Sequence, residues 1–201
     1  MRESDMQEFG LNFQCWKKLD LSDSKRLRRT PNFNGSRSLE TLWLHGCSSL
    51  TEIHPSIGNL DRLIDLDFSG CKKLTDLPSS ICRLKSLETL DICRCSSLQT
   101  LPVDLGDMRC LKFLAASDTG IKQLPRSVEM LKDLKNLDVG GKYIEAKRSF
   151  SRRRVPRIQS LSTFLSCLVL KNCGFSEADI PRDIGSLSSL TYLDMSGNSF
   201  L

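Results

Sequence analysis

The sequence predicts an α/β solenoid, a curved stack of similar coils with about eight short parallel strands on its concave face. Three observations support this prediction. A pattern of leucines recurs at intervals of 23 or 24 residues along most of the 201-residue chain. Within each interval, apolar and polar residues alternate over the length of a short strand. A proline-containing segment follows most of these stretches, and proline suits the start of an irregular or 3₁₀ return.

The repeated unit has the form LxxLxLxxCxxL, in which the first leucine is position 1. Position 9 holds Cys, Asn, Ser, Thr or Lys. The eight units begin at Trp16, Leu39, Leu63, Leu87, Leu111, Leu134, Leu165 and Leu190. One unit cannot bury its leucines alone, so neighbouring units are expected to pair their strands and share one core. This is the leucine-rich-repeat pattern, and it predicts a horseshoe with irregular, 3₁₀ or short helical returns on the convex face.

The alternation within each unit assigns its side chains to two faces. Positions 4 and 6, such as Leu42 and Leu44, point into the core. Positions 3, 5 and 7 point to the open concave side. The returns read LPSSICRLKS, LPVDLGDMRC and LPRSVEMLKD at 77–86, 101–110 and 124–133.

The pattern divides the chain into four parts. Residues 1–15 are expected to be the tail of a preceding repeat or a disordered start, and 16–141 are regular repeats. Residues 142–160 form a basic loop insertion, and 161–201 hold two further repeats, truncated without a C-terminal cap. Because solenoids need polar caps, we expect a piece of a longer protein that associates through its open ends.

The nine cysteines are an odd number in a chain without an export signal, which favours reduced thiols over a disulfide framework. Position 9 holds Cys47, Cys71, Cys95 and Cys173, where a small side chain can fill the core and bond to the turn. Cys93 falls at position 7 on the opposite side. The CxC pair is therefore not expected to bind a metal.

Other apparent sites have simpler explanations. His45, Ser69 and Asp67 lie on one face, but an open sheet supplies neither an oxyanion hole nor exclusion of water, so no enzyme is expected. His54 is predicted to be a solvated loop residue. Gly140-Gly141-Lys142 lacks the remaining residues of a phosphate-binding loop. No apolar run is long enough to span a membrane.

The concave face carries the candidate contacts with other proteins. Large apolar side chains among polar ones are typical of binding surfaces, which singles out Trp43, Phe113 and Tyr192. Aspartate recurs at position 5, either as a docking stripe for a basic partner or to keep the face soluble. Repulsion between Asp67 and Asp91 should raise one carboxyl pKa. The predicted partner-binding set is Thr41, Trp43, His45, Asp65, Asp67, Thr89, Asp91, Arg94, Phe113 and Tyr192.

The basic excess lies in one short segment. Residues 142–157 hold seven basic residues and one acidic residue, a net charge of +6 in a chain of net charge +5. Arg152, Arg153, Arg154 and Arg157 could contact nucleic acid, anionic lipid or a nuclear-import receptor. The alternative is a solvated loop. Nucleic acid is not the expected partner, because the segment lacks interleaved aromatic residues.

Several stretches resemble one family. LDLSDSKRLRRTPNFNGSRSLETLWLHGCSSLTEIHPSIGNLDRL, the GCxxLxxLPxxIxxLxxL units and CGFSEADIPRDIGSLSSLTYLDMSGNSF are similar to the repeat region of plant intracellular nucleotide-binding leucine-rich-repeat disease-resistance proteins. The Toll/interleukin-receptor-type branch is the nearer match. The resemblance covers about residues 16–201.

The resemblance implies a protein-recognition role. The repeats would sense a pathogen effector or a modified host protein and restrain a nucleotide-switch domain in a defence response. It implies no cofactor in this chain, ADP or ATP being expected only in an absent nucleotide-binding domain, and a cytoplasmic location with the nucleus as a second one. The alternatives are an intracellular Ras-group-type leucine-rich-repeat signalling scaffold and a receptor-kinase ectodomain.

Overall fold

The computed structural model describes residues 15–141, 165–176 and 184–198. Within these residues, eight three-residue strands form one parallel sheet in which each strand pairs with the next along the chain. The strands are β1 (Lys18–Asp20), β2 (Thr41–Trp43), β3 (Asp65–Asp67), β4 (Thr89–Asp91), β5 (Phe113–Ala115), β6 (Asn136–Asp138), β7 (Cys167–Val169) and β8 (Tyr192–Asp194). The predicted solenoid with eight parallel strands is confirmed.

The core is a set of leucine rows that run across the strands. Leu42, Leu66 and Leu90 are register partners on β2, β3 and β4, and each is 0% exposed. Position 6 forms a second row behind them, including Leu44 and Phe68. Burying one such side chain stabilises the fold by about 1.5–3 kcal/mol. The rows therefore provide the main force that holds neighbouring units together.

The row of central leucines changes at β8. Leu193 pairs in register with Leu168, yet it is 40% exposed, whereas Leu168 is fully buried. The outer edge of β8 has no strand partner among the described residues. The last described unit therefore buries its central leucine from one side.

The convex side is built from short 3₁₀ turns, as the proline-containing returns predict. Pro78 and Pro125 each precede such a turn with φ near −65°, the value that their rings impose. At the other end, a leucine amide bonds back to a carbonyl three residues earlier, as Leu84 does to Ile81. The turns are Pro55–Asn59, Ser79–Arg83, Leu105–Asp107, Arg126–Met130 and Ile184–Ser186.

Position 9 links consecutive coils. The thiol of Cys71 donates to the carbonyl oxygen of Leu44 at 3.2 Å, and that of Cys95 donates to Phe68 at the same distance. Each acceptor is position 6 of the preceding unit. Cys47 and Cys173 make the equivalent contact with Leu21 and Val139. The predicted structural role of these cysteines is confirmed.

Position 8 turns the chain away from the strand through a left-handed backbone. Gly46 has φ of +69°, which glycine adopts without steric cost, and a Cβ there would require the carboxylate of Asp23 to move. Arg94 takes the same conformation with φ of +60°. The residues of positive φ at position 8 are Asp23, Gly46, Gly70, Arg94, Asp118, Asn172 and Gly197.

Two predictions fall on other parts of the chain. The basic insertion at 142–160, with Arg152, Arg153, Arg154 and Arg157, lies outside the described residues, as does nearly all of the 1–15 segment. No helix among the described residues is long and apolar enough to cross a membrane.

Candidate functional site

The structure brings most of the predicted contact residues to one face. The strands β2 to β5 are adjacent in the sheet and place positions 3 and 5 side by side on the concave side. Tyr192 lies on the same side but on β8, three strands beyond β5, and is 54% exposed. Arg94 lies off the strand, in the turn that follows β4. The residues gathered on β2 to β5 are Thr41, Trp43, Asp65, Asp67, Thr89, Asp91 and Phe113.

Trp43 is held in place by residues of the two neighbouring strands. Its indole Nε1 donates to Oδ2 of Asp65 on β3 at 2.8 Å. The ammonium of Lys18 on β1 lies 3.4 Å from the centre of the ring, a cation–π contact. These contacts leave the half-buried indole fixed, with a positive charge on its face.

Phe113 contrasts with Trp43. It is the first residue of β5, between Thr89 of β4 and Asn136 of β6, and it is 41% exposed. Next to it at position 5, Ala115 replaces the aspartate found on most strands. The ring therefore offers apolar area to a partner at the centre of the sheet.

The aspartates at position 5 have a structural role that sequence reasoning missed. On β3, Oδ1 of Asp67 accepts a hydrogen bond from the Ser69 amide at 2.6 Å, and on β4 Asp91 accepts from Cys93 at 2.8 Å. Asp20, Asp138 and Asp194 do the same with the amides of Ser22, Gly140 and Ser196. Each carboxylate satisfies the first amide of the turn, as aspartate commonly does two residues on. The sequence contains a pattern that could have predicted this role, since each of these aspartates immediately precedes the last apolar residue before a turn.

The position-5 aspartates make the same hydrogen bond to a turn amide, but the pKa is raised at Asp91 and lowered at Asp20. Burial raises the pKa of Asp91, and the nearby carboxylates of Asp67 and Asp138 add to this, although the Cys93 hydrogen bonds oppose it. Hydrogen bonds from Ser22 lower the pKa of Asp20, which lies in the open at the first strand. The predicted repulsion between neighbouring carboxylates is thus a contributing cause at Asp91, and burial is the larger one.

Position 7 forms pairs across strands but no catalytic triad. Nδ1 of His45 lies 2.7 Å from Oγ of Ser69, while Asp67 bonds to the Ser69 backbone instead of to the imidazole. The next pair is Cys93 Sγ and Ser117 Oγ, 3.0 Å apart. Burial raises the pKa of Cys93 to about 12, which disfavours the reactive thiolate.

The other histidine has a role that the sequence did not predict. His54 lies in the loop as expected, but it is only partly exposed and its side chain caps the turn Pro55–Asn59. Its Nδ1 accepts from the Ser56 amide at 3.1 Å and lies 2.7 Å from the Ser56 hydroxyl. Its own amide donates to Thr30 at 2.8 Å. A side chain directly before a helical turn can accept a hydrogen bond from one of the first amides, which have no partner within the turn.

A shallow depression adjoins the strand ends of β5 to β7. It has a volume of about 390 Å³, is open to solvent, and is lined in part by Gly140 and Gly141. Its lining includes charged residues of both signs, Asp118, Asp138 and Lys171. Among the described residues, no three His, Cys, Asp or Glu side chains are grouped so that they could hold a metal ion.

A family described as a leucine-rich repeat region matches residues 17–139, which is more than half of the chain. The chain belongs to the leucine-rich repeat family. Two solved structures share the fold across almost all of this leucine-rich repeat chain. A leucine-rich repeat protein of Leptospira interrogans is 26% identical with a TM-score of 0.67, over 94% of this chain and 51% of that one. The leucine-rich repeat domain of the type III effector XopL is 23% identical with a TM-score of 0.64, over 93% and 70% respectively.

Curated relatives match a shorter part of the chain. TMV resistance protein N of Nicotiana glutinosa is 48% identical over 50 residues, which is 25% of this chain and 4% of that protein. Disease resistance protein RML1B of Arabidopsis thaliana is 49% identical over 47 residues, 23% of this chain and 5% of that protein. Disease resistance protein RUN1 of Vitis rotundifolia is 41% identical over 51 residues, 25% and 4% respectively. The resemblance to plant disease-resistance proteins is confirmed over this quarter of the chain.

Proposed function

We propose that this chain is the non-catalytic protein-recognition module of a plant innate immune receptor. In this role it senses a pathogen effector or a modified host protein and restrains the nucleotide-switch domain of its parent protein until that ligand arrives. The ADP or ATP that such a switch uses would bind in the parent's nucleotide-binding domain, and the receptor would act in the cytoplasm or nucleus. The observation that carries the proposal is the similarity to disease-resistance proteins at 41–49% identity.

The geometry of the concave face supports a macromolecular partner. An open sheet with an exposed Phe113 and an anchored Trp43 offers area and shape to such a partner. Binding energy in such interfaces comes mostly from a few aromatic and charged side chains. The fold alone would also suit a Ras-group-type scaffold. The relatives named above favour the immune receptor instead.

The test uses the gene at full length, expressed in leaf cells that are challenged with a matching pathogen strain. We expect Trp43→Ala with Phe113→Ala to abolish the cell-death response while the protein accumulates normally. Val103→Ala is the matched control, because Val103 is 76% exposed on the convex side. An unchanged response in the concave double variant, or equal loss in the control, would reject recognition by this face.

A further inference from the structure

The middle of the concave face carries one sign of charge. From β3 to β6, positions 3, 5 and 7 hold Asp65, Asp67, Asp91 and Asp138 and no lysine or arginine. The basic residues nearest to these positions are Arg94 in the turn after β4, Lys18 on β1 and Lys171 after β7, where Lys171 lines the same depression as Asp138. The chain as a whole has a net charge of +5. The four aspartates therefore form an anionic strip within an overall cationic chain.

The strip is not neutralised by the part of the chain that the structure describes. The ion pairs there are Lys17–Glu40, Arg29–Glu52, Lys85–Asp107 and Lys112–Glu88, and none includes an aspartate of the strip. Asp91 lies among like charges, with Asp67 and Asp138 both acting on it. Bringing a cation to this surface would relieve repulsion that the fold leaves in place.

The face already binds a cation at its margin. Lys18 places its ammonium 3.4 Å from the centre of the Trp43 ring, and the same indole donates to Asp65. An aromatic ring beside a carboxylate is thus a working ammonium site on this sheet. The exposed ring of Phe113 lies two residues along β5 from Ala115, whose register partners are Asp91 and Asp138, and no cation–π contact covers it among the described residues.

We propose that the anionic strip and Phe113 bind a short, extended, cationic segment of a partner protein. The proposal rests on the proposed function and specifies the partner's chemistry. The strip spans three strand intervals from β3 to β6, about 15 Å, which an extended chain covers in four or five residues. Two or three lysines or arginines fit that length, whereas a longer basic run would meet Lys18 or Lys171 at the ends.

The test measures binding of a fluorescein-labelled peptide, Arg-Ala-Arg-Ala-Arg, to the purified chain by anisotropy at low ionic strength. Asp67→Asn with Asp91→Asn removes two charges but keeps the Oδ1 atoms that accept from the turn amides. Asp20→Asn with Asp194→Asn is the matched control, since it makes the same change at the same repeat position outside the strip. We expect binding at least fivefold weaker in the first variant and changed less than twofold in the second.

Three outcomes would overturn the proposal. The peptide does not bind, or both double variants weaken it equally, or it binds only after Arg152, Arg153, Arg154 and Arg157 are replaced by glutamine. The last outcome would identify the chain's own basic segment as the occupant. Thermal midpoints of the variants show whether the fold is kept. An intact leaf response alongside failed peptide binding would reject the cationic partner alone and leave the proposed function in place.

Discussion

At position 8 the backbone is left-handed in seven of the eight units, and the residue found there affects how well the turn is tolerated. The other units with positive φ at position 8 have glycine, aspartate or asparagine there. These residue types adopt the left-handed conformation at low cost. Arg94 has a long side chain and φ of +60°. Its side chain is exposed, so burial does not offset the backbone cost.

Arg94→Gly should therefore stabilise the protein. Left-handed backbone costs a non-glycine residue about 1–2 kcal/mol, and the substitution removes this cost. Glycine also gives the unfolded chain more conformational entropy, which destabilises the folded state by about 0.5–1 kcal/mol. We expect a net gain of about 0.5–1 kcal/mol in the free energy of unfolding, measured by urea denaturation. Ser96→Gly, two residues on and without positive φ, should instead destabilise. A loss of stability in Arg94→Gly would contradict the argument.

Replacing a position-5 aspartate with asparagine should change the pH dependence of stability in opposite directions at Asp91 and at Asp20. Because the pKa of Asp91 is raised above its usual 3.8, the folded state holds the proton more readily than the unfolded state. This group therefore lowers stability as pH rises from 3.8 through its folded pKa. Asp91→Asn removes that loss, so its stability relative to wild type should increase over this range, as measured by denaturation at several pH values.

Asp20 provides the reverse case. Its pKa is lowered, so the stability it contributes is present above 3.8 and is lost as pH falls through the lower folded pKa. Asp20→Asn should therefore lose stability relative to wild type as pH rises over that window. Parallel trends in the two variants would mean that burial and hydrogen bonding do not distinguish these carboxylates.

At the scale of an element, the 3₁₀ turns pack unequally on the convex side. A Cβ on Gly106 would overlap the carbonyl oxygen of Ser127 and lie 2.9 Å from Cβ of Met130 in the next turn. The Gly106 amide also donates a hydrogen bond to the Ser127 hydroxyl oxygen at 3.1 Å. Gly185 occupies the same place in Ile184–Ser186, and a Cβ on it would meet no described atom within 4 Å.

Gly106→Ala should accordingly destabilise the protein by about 1–3 kcal/mol, the usual cost of forcing extra atoms into a packed region. Gly185→Ala should be neutral or slightly stabilising, since alanine restricts the unfolded chain without a clash. Urea denaturation of the two variants measures both effects. Equal stability would show that the Leu105–Asp107 and Arg126–Met130 turns can separate without cost.

At the scale of the whole molecule, no described strand pairs with the outer edge of β8, and this affects behaviour in solution. Leu193 is 40% exposed on the last described strand, next to backbone groups that no described strand pairs with. Exposed apolar edge strands favour association with other chains, and charged side chains oppose it. We therefore expect the wild-type chain to self-associate as its concentration rises.

Leu193→Lys should shift this self-association to higher concentration, as measured by sedimentation velocity over a concentration series. Val103→Lys makes a similar change on the convex surface, where Val103 is 76% exposed, and should leave association unchanged. A monomer at all concentrations in the wild type, or equal effects of the two lysines, would show that association does not use this edge.

The sequence by itself determined the coil. Leucines at fixed intervals can be buried only if the units stack, so strand order, register and the interior row of Leu42, Leu66 and Leu90 followed from periodicity. The position-9 cysteines followed as well, because their spacing placed them with the core. Periodicity also identified the concave face on which Trp43, Phe113 and the aspartates lie.

Only the tertiary structure decided how those surface residues are engaged. The bond from Asp67 to the Ser69 amide, the ammonium of Lys18 above Trp43 and the cap formed by His54 depend on distances of about 3 Å. A repeat pattern fixes which face a side chain occupies, but it does not fix the rotamer. Burial of Asp91 and exposure of Asp20 likewise depend on how many strands flank each one, because solvent access is a property of the assembled sheet and not of the repeated unit.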